Sequence, residues 1–180
     1  MAGHSAGGQF VQRYAGINRA EPKSRVPVRY VVANPSSYVY LNSLRIPSSS
    51  SCSVEGGCTR PFAAYWDAEN CASFNRYKYG LDGLSGYAAL VGAEAVTAQY
   101  PKRAITYMVG ELDRQPDPSL DKTCPAMAQG PNRYERGVNY WNYIREHFGA
   151  RHPLVVAPGC GHSATCMYAG SAGQRVLFPE

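Results

Sequence analysis

Residues 1–15 read Met-Ala-Gly-His-Ser-Ala-Gly-Gly-Gln-Phe-Val-Gln-Arg-Tyr-Ala, and the pentapeptide Gly3-His4-Ser5-Ala6-Gly7 within them fits the pattern G-x-S-x-G. The physics behind that pattern is a tight turn from a strand into a helix. The serine is held in a strained conformation with its hydroxyl exposed, and the flanking glycines leave room for the neighbouring strand and helix. Five residues alone specify little, because small residues cluster in many loops, but the context adds weight. In Gln9–Ala15, Phe10, Val11 and Tyr14 fall on one face at helical spacing, so a helix pattern follows the serine at once. Residues 1–8, with three glycines, read as a small-residue turn.

Working outward, three short runs read as buried strands. Arg25 to Ala33 is β-branched and bounded by proline and asparagine, with Pro27 near its start, where a missing donor is tolerated. Ala104 to Val109 ends at Gly110, and Leu154 to Ala157 is stopped by Pro158-Gly159. The longest helical pattern runs from Ala126 to Phe148. Val138, Trp141, Tyr143, Ile144 and Phe148 supply much of its apolar face, and Gly149 stops it. A weaker helix is expected over Ser163–Phe178. Residues 34–103 carry no long periodic element; they include the low-complexity stretch Pro47–Ser53 and, at most, a short helix from Ser85 to Gln99. A loop region of this length is usually a functional lid. Strands alternating with helices predict an α/β fold with a parallel sheet.

On such a scaffold a serine in this setting needs an acid and then a histidine downstream. The second strand runs into Gly110-Glu111-Leu112-Asp113, and the third into Gly159-Cys160-Gly161-His162. His162 is then the base that takes the proton of Ser5 and returns it to the leaving group, while Asp113 orients the imidazole and stabilises its charged form. Asp117 and Asp121 are rival acids; Asp113 lies nearest the strand end. His4 reads as a packing residue, His147 as a side chain near a helix C-terminus, where positive character is favoured, and His152 as surface loop. Arg133 and Arg136 on the long helix are placed to hold nearby carboxylates or chain ends, although a solvated face is the more common outcome for such a pair.

These stretches carry a resemblance. G-H-S-A-G-G-Q-F at 3–10, V-V-A-N-P-S-S-Y at 31–38, Y-K-Y-G-L at 77–81, G-E-L-D at 110–113, M-A-Q-G-P-N-R-Y-E-R-G at 127–137 and G-C-G-H-S at 159–163 resemble the carboxyl-terminal part of an α/β-hydrolase-fold serine hydrolase of a microbial esterase- or lipase-like group. The resemblance implies a three-layer αβα architecture with a mostly parallel sheet. It also implies nucleophile Ser5, acid Asp113, base His162 and a lid-like insertion at about 40–100 that shapes specificity. It implies cleavage of a carboxylic ester, small-molecule or lipid-like, through an acyl-enzyme at Ser5. The backbone N–H of Ala6 supplies one oxyanion-hole donor, and the other comes from a loop after an early strand. With Ser5 so near the start, residues 1–180 are expected to form one such domain lacking its N-terminal strands. The alternatives are a catalytically inactive truncated remnant or incomplete gene model of such a hydrolase, and a ligand-binding module using the tyrosine-rich residues 65–100.

Composition bounds these readings. The chain has 180 residues, a one-domain length, with 44% apolar and 17% charged residues, which is enough to bury a core and excludes wholesale disorder. The 18 glycines and 13 prolines show no repeating period, so the chain is loop-rich without being collagen-like. Fourteen tyrosines suit a surface of polar-tipped aromatics such as a substrate cleft. No apolar run approaches the ~20 residues of a membrane span. The net charge of +5 is scattered, and neither Lys23-Arg25-Arg29 nor Lys102-Arg103 makes the basic stripe of a nucleic-acid binder. No dinucleotide turn or phosphate loop is present, so no cofactor is expected.

Six cysteines point to an oxidising compartment, yet the first residues show no basic and then apolar leader. The expectation is that a full-length relative is secreted. Cys160, His162 and Cys166 lie close together, but zinc sites prefer tighter pairs. Disulfides fit the cysteines better: Cys52 with Cys58 and Cys160 with Cys166 are each separated by five residues, although six cysteines allow 15 pairings.

Overall fold

Two apolar runs, Tyr30–Ala33 and Ile105–Val109, are nearly free of charge, as strands covered on both faces must be. In the computed structural model, which describes residues 1–115 and 117–179, they form the middle of a parallel sheet. The elements follow in the order β1 (Ala2–His4), α1 (Ala6–Ile17), β2 (Arg29–Ala33), α2 (Gly86–Val91), α3 (Ala93–Gln99), β3 (Ala104–Gly110), α4 (Cys124–Met127), α5 (Arg133–Phe148), β4 (Leu154–Ala157), α6 (Ala164–Ala169) and α7 (Ser171–Leu177). The sheet order is β1-β2-β3-β4, every pair parallel, with Gly3 beside Val32, Val32 beside Tyr107 and Tyr107 beside Leu154.

Alternation along β2 separates two cores. Tyr30 and Val32 face one side with Ile105 and Tyr107, packing against Val11 and Ala15 of α1, Val96 of α3 and Tyr140 and Ile144 of α5. Val31 and Ala33 face the other, with Met108, Ala157, Met167 of α6 and Ala172 of α7. The result is the three-layer αβα arrangement of an α/β fold.

Several local expectations change. Residues 2–4 are a strand rather than a turn: nothing β-branched marks them, but pairing to β2 fixes them, with Val31 N–H donating to Met1 O at 2.9 Å. The strand expected from Arg25 begins at Arg29, beyond Pro27, whose nitrogen cannot donate to a ladder. The helix expected over 126–148 divides into α4 and α5 at Gly130-Pro131; Gly130 has φ +138°, outside the helical region, and proline bars its neighbour from continuing one. Asn132 then caps α5, accepting from the Glu135 N–H at 2.9 Å. The helices expected over 85–99 and 163–178 each form as two, divided at Gly92 and Gly170.

The tyrosines are placed differently from the composition-based reading. Seven of them (Tyr30, Tyr38, Tyr40, Tyr100, Tyr107, Tyr140 and Tyr143) are fully buried. Several hydroxyls satisfy one another or a core amide: Tyr100 and Tyr107 are 2.7 Å apart, and Gln12 of α1 donates to Tyr140 at 3.0 Å. His152, read as surface loop, is buried in this cluster, its Nδ1 3.2 Å from the Tyr107 hydroxyl. Burial pushes its imidazole down to about 4.

All six cysteines are paired, as Cys52–Cys58, Cys71–Cys124 and Cys160–Cys166. The two pairs favoured by spacing are both joined. No helix among the described residues is long and apolar enough to cross a membrane.

Candidate active site

Each strand of the sheet delivers one polar side chain from its carboxyl end. Ser5 follows β1, Asn34 follows β2, Asp113 follows β3 and His162 follows β4. Ser5 has φ +56°, a region a non-glycine residue occupies only under constraint, and its N–H donates to Ala33 O at 3.0 Å. Space for this turn comes from Gly3 and Gly8. A Cβ on Gly3 would lie 2.3 Å from the Gly7 carbonyl oxygen, and one on Gly8 would lie 2.6 Å from that of Ala33. Gly7, the final glycine of the pattern, has nothing within 4 Å of such an atom, so the steric demand falls one residue later than G-x-S-x-G places it.

The structure brings Ser5, His162 and Asp113 together. His162 Nε2 lies 2.9 Å from Ser5 Oγ, and His162 Nδ1 lies 2.8 Å from Asp113 Oδ2. Asp113 is buried, at 3% exposure, whereas Ser5 and His162 are partly open. Ala6 opens α1, where the first backbone N–H groups have no intrahelical acceptor. The rival acids lie elsewhere. Asp117 pairs with Arg133, and Asp121 accepts from Tyr79 at 2.7 Å and from Thr123 Oγ1 at 2.6 Å.

His4 packs against His162 with ring centroids 4.6 Å apart and planes tilted by 36°, and its Nε2 is buried with no hydrogen-bond partner among the described residues. Burial, and then the neighbouring His162, push His4 down to about 4, so it is neutral near neutral pH. It packs as the sequence reading expected and adds no second charge.

The loop carrying His162 is held at several points. Asn34, fully buried with φ +42°, accepts from Gly110 N–H at 2.9 Å and donates to Gly161 O at 3.3 Å, tying the ends of β2, β3 and β4 together. Leu112 N–H donates to Cys160 O at 2.9 Å, and Glu111 accepts from Gly159 N–H at 2.8 Å. The Cys160–Cys166 disulfide closes a short ring around the histidine. Loop-closure entropy for a ring this size is about 2 kcal/mol. Replacing both cysteines by alanine is therefore expected to lower unfolding stability by about that amount, read by denaturant titration. It is also expected to slow any reaction at Ser5, because the loop that aims the imidazole loses its tie. Unchanged stability and reactivity would show that the remaining hydrogen bonds suffice.

Arg133 and Arg136 take the less common of their two expected roles, and Arg133 holds carboxylates beside the site. Both are fully buried rather than solvated. Arg136 donates to the carbonyl oxygens of Gly130 at 2.7 Å, Ser36 at 2.6 Å and Asp121 at 2.9 Å, while Arg133 reaches Asp113 itself, with Nη1 3.4 Å from Oδ1. A signal was available: positions 133, 136, 137, 140 and 144 recur at helical spacing with the apolar stripe of α5. Asn34 is marked in the sequence only by closing a strand within the V-V-A-N-P-S-S-Y stretch at 31–38.

A cleft of about 480 Å³ lies between the segment holding Ile46, Tyr65 and Trp66 and the helices holding Met127 and Asn139; Ser5, Asp113 and His162 are not among its walls. Among the described residues no cluster of His, Cys, Asp and Glu is arranged to hold a metal ion.

No protein-family model matches the sequence, and no curated protein matches it. Solved structures do. Poly(aspartic acid) hydrolase-1 from Sphingomonas sp. KT-1 is 27% identical with a TM-score of 0.59, over 92% of this chain and 50% of that one. LpqC, a poly(3-hydroxybutyrate) depolymerase from Bordetella parapertussis, is 24% identical with a TM-score of 0.62, over 98% of this chain and 47% of that one. The chain thus spans about half the length of each. The fold is α/β, with the mostly parallel sheet of α/β-hydrolases over the half these neighbours share with it.

Proposed function

We propose that this chain carries the nucleophile, base and acid of a serine hydrolase that cleaves a carboxylic ester through an acyl-enzyme at Ser5. The observation that carries the reading is the unbroken chain of contacts from Ser5 Oγ to His162 Nε2 at 2.9 Å and from His162 Nδ1 to Asp113 Oδ2 at 2.8 Å. Ser5 Oγ attacks the ester carbonyl carbon while its proton passes to His162 Nε2. The carbonyl oxygen becomes an oxyanion that accepts from the Ala6 N–H, and Asp113 stabilises the imidazolium. The intermediate collapses, the C–O bond to the alcohol breaks, and the alcohol oxygen takes the proton from Nε2. Water then attacks the acyl-Ser5 ester, again giving its proton to Nε2; the second collapse releases the acid, and Ser5 Oγ recovers that proton.

The named activities of the two neighbours, on poly(aspartic acid) and on poly(3-hydroxybutyrate), support a hydrolase and extend the candidate substrates to polymers with ester or amide links. Residues 1–180 are read as one domain portion in which the segment at about 40–100 shapes specificity. Three disulfides fit an extracellular setting.

A fluorophosphonate probe is expected to label the folded chain, with the adduct mapping by peptide mass to the segment holding Ser5. Folded protein that stays unlabelled, or labelled at another residue, would sink the reading. Parallel assays on p-nitrophenyl esters, poly(3-hydroxybutyrate) and poly(aspartic acid) then divide ester from amide substrates.

A further inference from the structure

Behind Asp113 stands a group that the proposed chemistry does not use. Arg133, the first residue of α5, is fully buried. Its Nε donates to Ser36 Oγ at 3.1 Å, and its Nη1 faces Asp113 Oδ1 at 3.4 Å. The outer edge of the guanidinium forms a two-pronged pair with Asp117, with Nη2 to Oδ1 at 3.1 Å and Nη1 to Oδ2, and Nη2 also donates to Ser119 Oγ at 2.9 Å. Asp117 is fixed in turn, its Oδ1 accepting from the N–H and the hydroxyl of Ser119 at 2.7 and 2.6 Å. The Arg133 hydrogen bond, first among the causes, holds the Asp117 carboxyl well below the usual carboxylate range.

The division of contacts matters electrostatically. A buried guanidinium without a counter-ion is strongly unfavourable. Satisfied by Asp113 alone, it would cancel the negative charge that His162 needs when it takes a proton. Here the close two-pronged partner is Asp117, at the partly open edge, and Asp113 receives only one longer contact, on the oxygen that His162 does not use.

We propose that Arg133 and Asp117 form a positioning pair for the Asp113–His162 couple: Arg133 fixes Asp113 Oδ1 so that Oδ2 faces the imidazole, and Asp117 offsets the guanidinium charge so that Asp113 acts as a full anion. This rests on the triad reading of Ser5, His162 and Asp113. Other titratable groups on the elements around His162 include His4 from β1, Tyr168 of α6 beyond it, Glu111 after β3, which accepts from Gly159 N–H of the His162 loop, and Arg114, which lies over the Tyr134 ring.

The test is the pH dependence of the fluorophosphonate labelling rate, whose acid limb reads the protonation of His162. Asp117→Asn keeps the shape and removes the compensating charge. The uncompensated guanidinium then disfavours the imidazolium, so the limb moves to lower pH. Arg133→Gln leaves two carboxylates near the imidazole, so the limb moves to higher pH. By Coulomb's law a unit charge about 10 Å away, at effective dielectrics of about 20–80, moves a titration by roughly 0.3–1 pH unit, and displacements of that order are expected in both variants.

Opposite displacements in the two folded variants support the pair. A limb that stays at the wild-type position, or that moves the same way in both, overturns it. Where Arg133→Gln does not fold, Asp117→Asn decides alone: a downward shift supports the pair and an unmoved limb overturns it. Folded wild type that never labels overturns the triad reading and the pair with it, whereas labelled wild type with unmoved limbs overturns the pair only.

Discussion

Asp113→Asn is expected to slow the reaction at Ser5 by about 10⁴-fold at neutral pH while leaving the fold intact. The side chain is nearly isosteric, so packing is preserved at this buried position. What changes is the direction of one hydrogen bond. As a carboxylate, Asp113 accepts from Nδ1–H of His162, which leaves Nε2 bare and able to take the Ser5 proton. An asparagine has one oxygen and one amide to place. Arg133 already presents a donor to the Oδ1 position, so the asparagine oxygen turns toward Arg133 and its NH₂ toward His162. Nδ1 must then accept, the proton resides on Nε2, and the imidazole can no longer act as base. The check is the labelling rate at Ser5, or ester hydrolysis, in protein whose circular dichroism matches wild type. A rate within tenfold of wild type would remove Asp113 from its assigned role.

The same side chains show how far the sequence carries. The placement of Ser5, Asp113 and His162 was legible because each follows a strand directly, and strand ends in a parallel sheet converge on one rim. Proximity to the strand end favoured Asp113 over Asp117 and Asp121, and among the three it is Asp113 that the structure sets against His162. The supporting groups were harder to see because their roles depend on tertiary neighbours. Arg133 and Arg136 look like surface charges in isolation; only their phase with Tyr140 and Ile144 on α5 betrays a buried face, and the carboxylates and carbonyls that accept from them come from distant segments. The burial of the tyrosines is hidden from composition for a related reason. Composition records an amphipathic side chain but not whether another hydroxyl or amide will meet it inside. In this core Gln12, Tyr100, Tyr107 and His152 do so. β1 escaped notice because three residues carry too little periodicity to register, and its conformation is imposed by β2.

Gly8→Ala is expected to abolish reactivity at Ser5, whereas Gly7→Ala is expected to fold as wild type. The pattern G-x-S-x-G assigns the need for a small residue to position 7, yet the geometry assigns it to positions 3 and 8. A Cβ on Gly8 would stand 2.6 Å from the Ala33 carbonyl oxygen and 3.2 Å from that of Gly3, both backbone atoms that cannot swing aside. Relieving the contact means moving α1 away from β1 and β2, at a cost of about 1–3 kcal/mol or more. The movement would also strain the bond from Ser5 N–H to that same Ala33 oxygen, which holds the serine in its positive-φ conformation. A displacement of the nucleophile by ~1 Å is enough to lose on the order of 10² in rate, and disruption of the turn itself would take the rest. Gly7 faces open space in the first turn of α1, where alanine is favoured over glycine by up to about 1 kcal/mol. Denaturant titration and probe labelling of the two variants side by side make the comparison. Wild-type behaviour of Gly8→Ala, or collapse of Gly7→Ala, would show that the close approach of α1 to β2 is not what shapes this turn.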